Sequence, residues 1–244
     1  ALKKILDSWG GQHPLTQDQG VLVKEKQDFY NNASSIFDQR SALTADTSKE
    51  IGFIIEQLKL AHCKTILDCG CGNGRLSIPL AHAGYTVLGI DISDNLLAQA
   101  RQRAQGNRFV EFRKQNALAL NYEYTFDAVL MMWYVLCEFK NHQTALLRTV
   151  NRALKIEGIL IFDIPDKSNS KNIDGTGVYR HDSPIGTYIG SVPELKQLFL
   201  MLETQTGFTD VKYYKVNWGI PKYVFVAIKP GLYYSSDQVV RQTG

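Results

Sequence analysis

From Lys64 onward, short apolar runs alternate with helical segments. The runs lie at residues 65–69, 86–91, 109–114, 126–132 and 158–164, and the helical patterns at 75–83, 93–105 and 141–154. Strands that alternate with helices of this length predict a parallel sheet joined by right-handed crossovers. Two more strand runs, 211–216 and 223–228, are joined by the short link Asn217-Trp218-Gly219-Ile220-Pro221, which suits an antiparallel pair. The expected architecture is α/β. It has seven strands, mostly parallel, with helices on both faces and an antiparallel last strand.

The flanks read differently. Helical patterns at 21–38 and 46–60 make residues 1–60 an N-terminal helical cap, with an irregular start before residue 20. The core then spans 61–230. Within it, residues 165–190 form an insertion rich in Gly, Asn, Asp and Ser, a candidate lid near the substrate. A helix is expected over 192–206, and residues 231–244 form a peripheral tail.

Composition narrows the function classes. A chain of 244 residues, 44% hydrophobic and 21% charged, can build an α/β core without disulfides or structural metal. No window reaches 18 consecutive apolar residues, so no membrane span is expected. The formal charge is +3, and the basic residues are scattered. That distribution argues against nucleic acid or an anionic membrane as partner. The four cysteines, Cys63, Cys69, Cys71 and Cys137, lack zinc spacing and read as free thiols in a reducing cytoplasm. No metal is expected.

The chemistry concentrates after the first strand, in Leu67-Asp68-Cys69-Gly70-Cys71-Gly72-Asn73-Gly74. Glycines there let backbone approach a ligand closely and reach φ > 0. The turn lies at the carboxyl end of a strand, where open α/β sheets bind ligands. The dinucleotide spacing G-x-G-x-x-G would need glycine at 75, where Arg75 stands, and no G-K-[ST] follows for a P-loop.

This segment resembles motif I of the class I S-adenosylmethionine-dependent methyltransferases. Gly89-Ile90-Asp91-Ile92-Ser93 resembles the family's second-strand motif, Phe126-Asp127-Ala128-Val129-Leu130 its fourth-strand motif, and Leu154-Lys155-Ile156-Glu157-Gly158-Ile159-Leu160 its fifth-strand entry. Gln115-Asn116-Ala117 stands where the family has an Asp-Ala pair. The resemblance implies a Rossmann-like fold, S-adenosyl-L-methionine as cofactor and S-adenosyl-L-homocysteine as product. It implies a cofactor site of Asp68, Gly70, Cys71, Gly72, Gly74, Asp91, Ile92, Asn116, Ala117 and Met132. Asp91 would accept both ribose hydroxyls, and the Asn116 carbonyl would accept the adenine amino group.

The implied reaction is transfer of a sulfonium methyl to an O, N or C nucleophile by in-line displacement. The Pro-Pro-Tyr segment of nucleic-acid amino-methylating enzymes is absent after the fourth strand, where Met132-Trp133-Tyr134-Val135-Leu136-Cys137-Glu138 stands. An aromatic, apolar segment suits a small organic metabolite or natural product. Candidate substrate residues are Tyr30, Trp133, Tyr134, Glu138, Tyr179 and Arg180, with Glu138 facing a cationic substrate. His181 and Tyr134 are the catalytic candidates, His181 because its ordinary pKa lies near neutrality. The partner is a small-molecule substrate, and the chain acts as monomer or homodimer. Two alternatives remain open: an RNA or protein methyltransferase, and a non-catalytic S-adenosylmethionine-binding partner or sensor.

Overall fold

A computed structural model describes residues 15–44, 47–169, 178–183 and 186–231. The expected irregular start and the tail beyond residue 231 lie outside these. The sheet order is β3-β2-β1-β4-β5-β9-β8, from β1 (Thr65–Cys69), β2 (Thr86–Asp91), β3 (Val110–Lys114), β4 (Phe126–Met131), β5 (Leu154–Pro165), β8 (Thr209–Asn217) and β9 (Pro221–Ile228). The first five are mutually parallel, and β9 runs antiparallel to both β5 and β8.

Alternate residues of the central strands feed different cores, as period-two geometry requires. Leu67, Leu88 and Val129 pack on one face, while Ile66, Val87, Ala128 and Leu130 pack on the other. Burial on both faces explains the near-continuous apolar runs. Asp127 sets the entry to the sheet. Its Oδ2 accepts from Lys64 N, Thr65 N and Thr65 Oγ1, and its Oδ1 pairs with Lys155 Nζ at 2.7 Å.

The helices are α1 (Gln17–Thr44), α2 (Thr47–Leu60), α3 (Ser77–His82), α4 (Asp94–Ala104), α5 (Val135–Glu138), α6 (Gln143–Ala153) and α7 (Leu195–Leu200). A side-chain cap at Thr16 starts α1 earlier than the apolar pattern suggests. Gln19 Oε1 accepts from Thr16 N at 3.0 Å, one half of a capping box. The helix expected over 192–206 is shorter, because the chain winds into a π turn at Met201–Gln205 after α7.

The insertion also departs from expectation. Its described part carries a hairpin, β6 (Val178–Ser183) with β7 (Gly186–Ser191), where no strand was expected. Gln143 Nε2 donates to Ser191 O at 2.8 Å and ties the hairpin's exit to α6. Among the described residues, no helix is long and apolar enough to cross a membrane.

Candidate active site

The chain runs from β1 outward to β2 and β3, then returns to place β4 on β1's other side. A crevice opens at such a switch point, beyond the carboxyl ends of the strands. A cavity of about 170 Å3 lies there. Its walls come from the turn after β1, the ends of β2 and β4, the segment after β3, and α1 above.

The glycine turn is built by backbone. Gly70 N and Cys71 N both donate to Ile90 O, at 2.8 and 3.0 Å. Gly70 has φ +71, and a Cβ there would stand 2.8 Å from Val135 Cγ2. Gly74 has φ +82, and a Cβ there would meet Ile78 and Phe112. A side chain at either position would therefore be strained twice, by conformation and by contact.

Two carboxylates flank the turn. Asp91 Oδ2 accepts from Gly72 N and Oδ1 from Ser93 N, both at 2.9 Å. Each oxygen keeps a lone pair for a further donor. Asp68 is buried and accepts from Ser77 Oγ at 2.5 Å. Burial pushes the Asp68 carboxyl up to about 6, against Ser77 and Arg75, which lower it. Burial also raises Asp91, against its N–H donors.

Asn116 has its amide set by the backbone that follows it. Its Oδ1 accepts from Leu118 N at 3.0 Å, capping a 3-10 turn, while its buried Nδ2 has no hydrogen-bond partner. Reversing the amide would aim two donors at each other. Asn116 therefore presents a donor with no partner among the described residues, while its oxygen keeps a lone pair for a further donor.

Of the other candidates, Cys71, Ile92, Ala117, Met132, Trp133, Tyr30 and Glu138 line the cavity. Burial holds the Cys71 thiol well above its usual range, so it is no nucleophile. Tyr134 is not among the lining residues and packs against the apolar core. Tyr179, Arg180 and His181 lie on β6, and their side chains fall outside those described.

Glu138 also departs from expectation. Tyr30 Oη donates to its Oε1 at 2.6 Å, and Lys26 Nζ lies 2.7 Å from its Oε2. A lysine of the chain thus occupies the place expected for a cationic substrate. Lys26 and Tyr30 are one turn apart on α1 and hold that helix across the cavity. Near the other end of the contact, Ser93 Oγ donates to Asn31 Oδ1 at 2.8 Å.

Sequence reasoning missed a buried network beneath this floor. Glu50 Oε1 and Asp163 Oδ2 both meet Lys222 Nζ, at 2.8 and 2.7 Å, and Glu50 also pairs with Arg75. Asp163 Oδ1 accepts from Tyr134 N at 2.8 Å. Burial works against the Glu50 carboxylate, but Arg75 and Lys222 outweigh it and hold it below its usual range. The only available sequence signal was a pair of carboxylates and two cations on otherwise apolar elements.

A family described as a methyltransferase domain matches residues 67–162. The cypemycin N-terminal methyltransferase of a Streptomyces species is 32% identical over 46% of this chain and 46% of its own length. A ubiquinone biosynthesis O-methyltransferase of Actinobacillus pleuropneumoniae is 34% identical over 41% of this chain and 44% of its own length. The chain thus spans about half the length of the curated relatives it matches.

Solved structures cover more. The magnesium protoporphyrin IX methyltransferase of Synechocystis, with bound S-adenosylmethionine, superposes with a TM-score of 0.63 at 19% identity. The match covers 85% of this chain and 97% of that one. The CcbJ methyltransferase of Streptomyces caelestis gives 0.68 at 16% identity, over 84% and 99%. At such identities the likeness establishes the fold. Residues 67–162 thus match a methyltransferase domain, and the chain shares the fold of solved S-adenosylmethionine-dependent methyltransferases.

Proposed function

We propose that this chain binds S-adenosyl-L-methionine in the cavity between β1, β2 and β4 and transfers its methyl group to a small organic acceptor. The observation that carries the reading is Asp91. Its carboxylate ends β2 at the cavity wall, fixed by two backbone donors and with capacity for two hydroxyls. The unpartnered Asn116 Nδ2 fits as well, since adenine offers ring-nitrogen acceptors.

The cofactor supplies an electrophilic methyl on a sulfonium. The chain supplies alignment. The glycine turn brings backbone close, Asp68 faces the cofactor's ammonium, and Trp133 walls the side after β4. Helix α1 is pinned across the cavity through Tyr30 and Lys26. Positioning of this kind can supply about 7–11 kcal/mol at best. The acceptor's bond to carbon forms as the sulfur–carbon bond breaks, and the acceptor releases its proton. A small cavity walled by Tyr30, Trp133 and Phe139 suits a small acceptor better than a nucleic acid or a folded protein. The test is incubation with methyl-labelled cofactor and pooled small metabolites. Label should move into a small molecule and not into RNA or protein.

A pH dependence follows from Asp68. Its carboxyl titrates near 6 when folded, above the ordinary 3.8, so folding favours the protonated form. That contribution to stability is present below about pH 4 and is lost as pH rises through 6. Binding an ammonium needs the ionised form. Cofactor affinity is therefore expected to be about tenfold weaker at pH 5 than at pH 7. Calorimetry across that range checks it, and Asp68→Asn should shrink the difference. An unchanged profile in the variant would remove Asp68 from the ammonium site.

A further inference from the structure

Glu138 is the last residue of α5, and the turn after β4 sets it at the cavity wall. Its side chain is 12% exposed, and Tyr30 Oη donates to its Oε1 at 2.6 Å. Its Oε2 has no hydrogen-bond donor among the described residues, although Lys26 Nζ lies 2.7 Å away. A nearly buried carboxylate oxygen is thus met by a charge but not by an aligned N–H. The carboxylate belongs to the crevice of the sheet, while the ammonium that neutralises it reaches in from the cap helix α1.

The lining residues include three carboxylates, Asp68, Asp91 and Glu138. Asp91 and Asp68 serve the cofactor's hydroxyls and ammonium in the reading above, which leaves Glu138 for another ligand. The rings of Tyr30, Trp133 and Phe139 line the same cavity, and aromatic rings attract a cation. Lys26 carries its charge on a flexible four-carbon stem, so it can withdraw without moving its backbone. Helix α1 has separate anchors, because Asn95 Nδ2 donates to Asn31 O and Ser93 Oγ to Asn31 Oδ1, both at 2.8 Å. Exchange of the lysine therefore does not require the cap helix to detach.

We propose that the methyl acceptor is an amine on an aromatic or apolar skeleton, and that its ammonium takes the place of Lys26 at Glu138. This rests on the reading of the cavity as the S-adenosylmethionine site. Between turnovers the lysine keeps the carboxylate ionised and holds the position of a substrate ammonium. Burial pushes the Glu138 carboxyl above its usual range, against Lys26 and Tyr30, which lower it. A carboxylate so placed can take the ammonium's proton. The freed nitrogen lone pair then forms the bond to the methyl carbon as the sulfur–carbon bond breaks. The product leaves as the methylated ammonium, Glu138 returns its proton to solvent, and Lys26 swings back.

The test is calorimetry on the full chain saturated with S-adenosylhomocysteine, with phenethylamine, the neutral phenethyl alcohol and the anionic hydrocinnamate as probes. The unmodified chain should prefer the amine over the alcohol by roughly 10- to 100-fold and should not bind the carboxylate. Glu138→Gln keeps the shape of the side chain and should abolish that preference. Lys26→Met removes the competing ammonium and should tighten amine binding by about threefold or more, with the alcohol unchanged. The readouts are ratios within one protein, so partial unfolding of a variant does not imitate them. Equal binding of amine and alcohol, a preference that survives Glu138→Gln, weaker amine binding in Lys26→Met, or no amine binding at all would each overturn the proposal. Titration with S-adenosylhomocysteine alone comes first. If it does not bind, the cofactor reading fails and takes this inference with it, whereas a failure of the probes with that ligand bound overturns the amine alone.

Discussion

Replacing Lys222 by methionine is expected to destabilise the fold by about 3–5 kcal/mol. The ammonium is 4% exposed and lies between two carboxylates that are 1% and 0% exposed. Burial works against its charge, but Asp163 and Glu50 outweigh burial and hold it above its usual range. Methionine keeps most of the volume, so the loss is electrostatic. Glu50 would retain Arg75, while Asp163 would be left buried with only Tyr134 N as a donor. Urea unfolding at pH 7 measures the effect. Adding Asp163→Asn should recover part of the loss, because it removes the stranded charge. A change below about 1 kcal/mol would mean the network is wetter than its burial indicates.

Asp91→Ala is expected to weaken S-adenosylmethionine binding by roughly 10- to 100-fold. Hydrogen bonds to a charged acceptor are worth about 1.5–3 kcal/mol, and each 1.4 kcal/mol is tenfold. The carboxylate also receives Gly72 N and Ser93 N, so its loss loosens the glycine turn as well. Both effects push affinity the same way. Asp91→Asn keeps the shape and one acceptor, and should fall between the two. Unchanged affinity with an intact circular-dichroism spectrum would remove Asp91 from the site.

What the sequence made legible was local. The apolar runs located β1 to β4 within one residue of their ends, and β8 and β9 start two residues earlier than their runs. The largest difference was at β5, which starts at Leu154 instead of 158 because its first residue pairs with Phe126 before a register shift. Glycine spacing and the position of Asp91 were legible for the same reason, since both express what one turn of backbone can do.

What stayed hidden was brought together by tertiary packing. Glu50 and Lys222 are 172 residues apart, and Tyr30 and Glu138 are 108 apart. Nothing in local pattern announces such pairs. Arg75 was noticed only for the spacing it breaks, and its role in the wall depends on β5 and β9 lying behind it. The Asn116 amide is a subtler case. The residue was legible, but its orientation follows from the Leu118 N–H that claims its oxygen. The hairpin β6–β7 escaped because its strands sit in a segment whose composition reads as loop.

The central claim is that the cavity after β1 is an S-adenosylmethionine site. Calorimetric titration of the full chain with S-adenosylhomocysteine, with NAD as the control ligand, tests it most directly. The account predicts saturable one-to-one binding of the first ligand, none of the second, and a marked loss in Asp91→Ala. No binding of S-adenosylhomocysteine, or equal binding of both ligands, would contradict it.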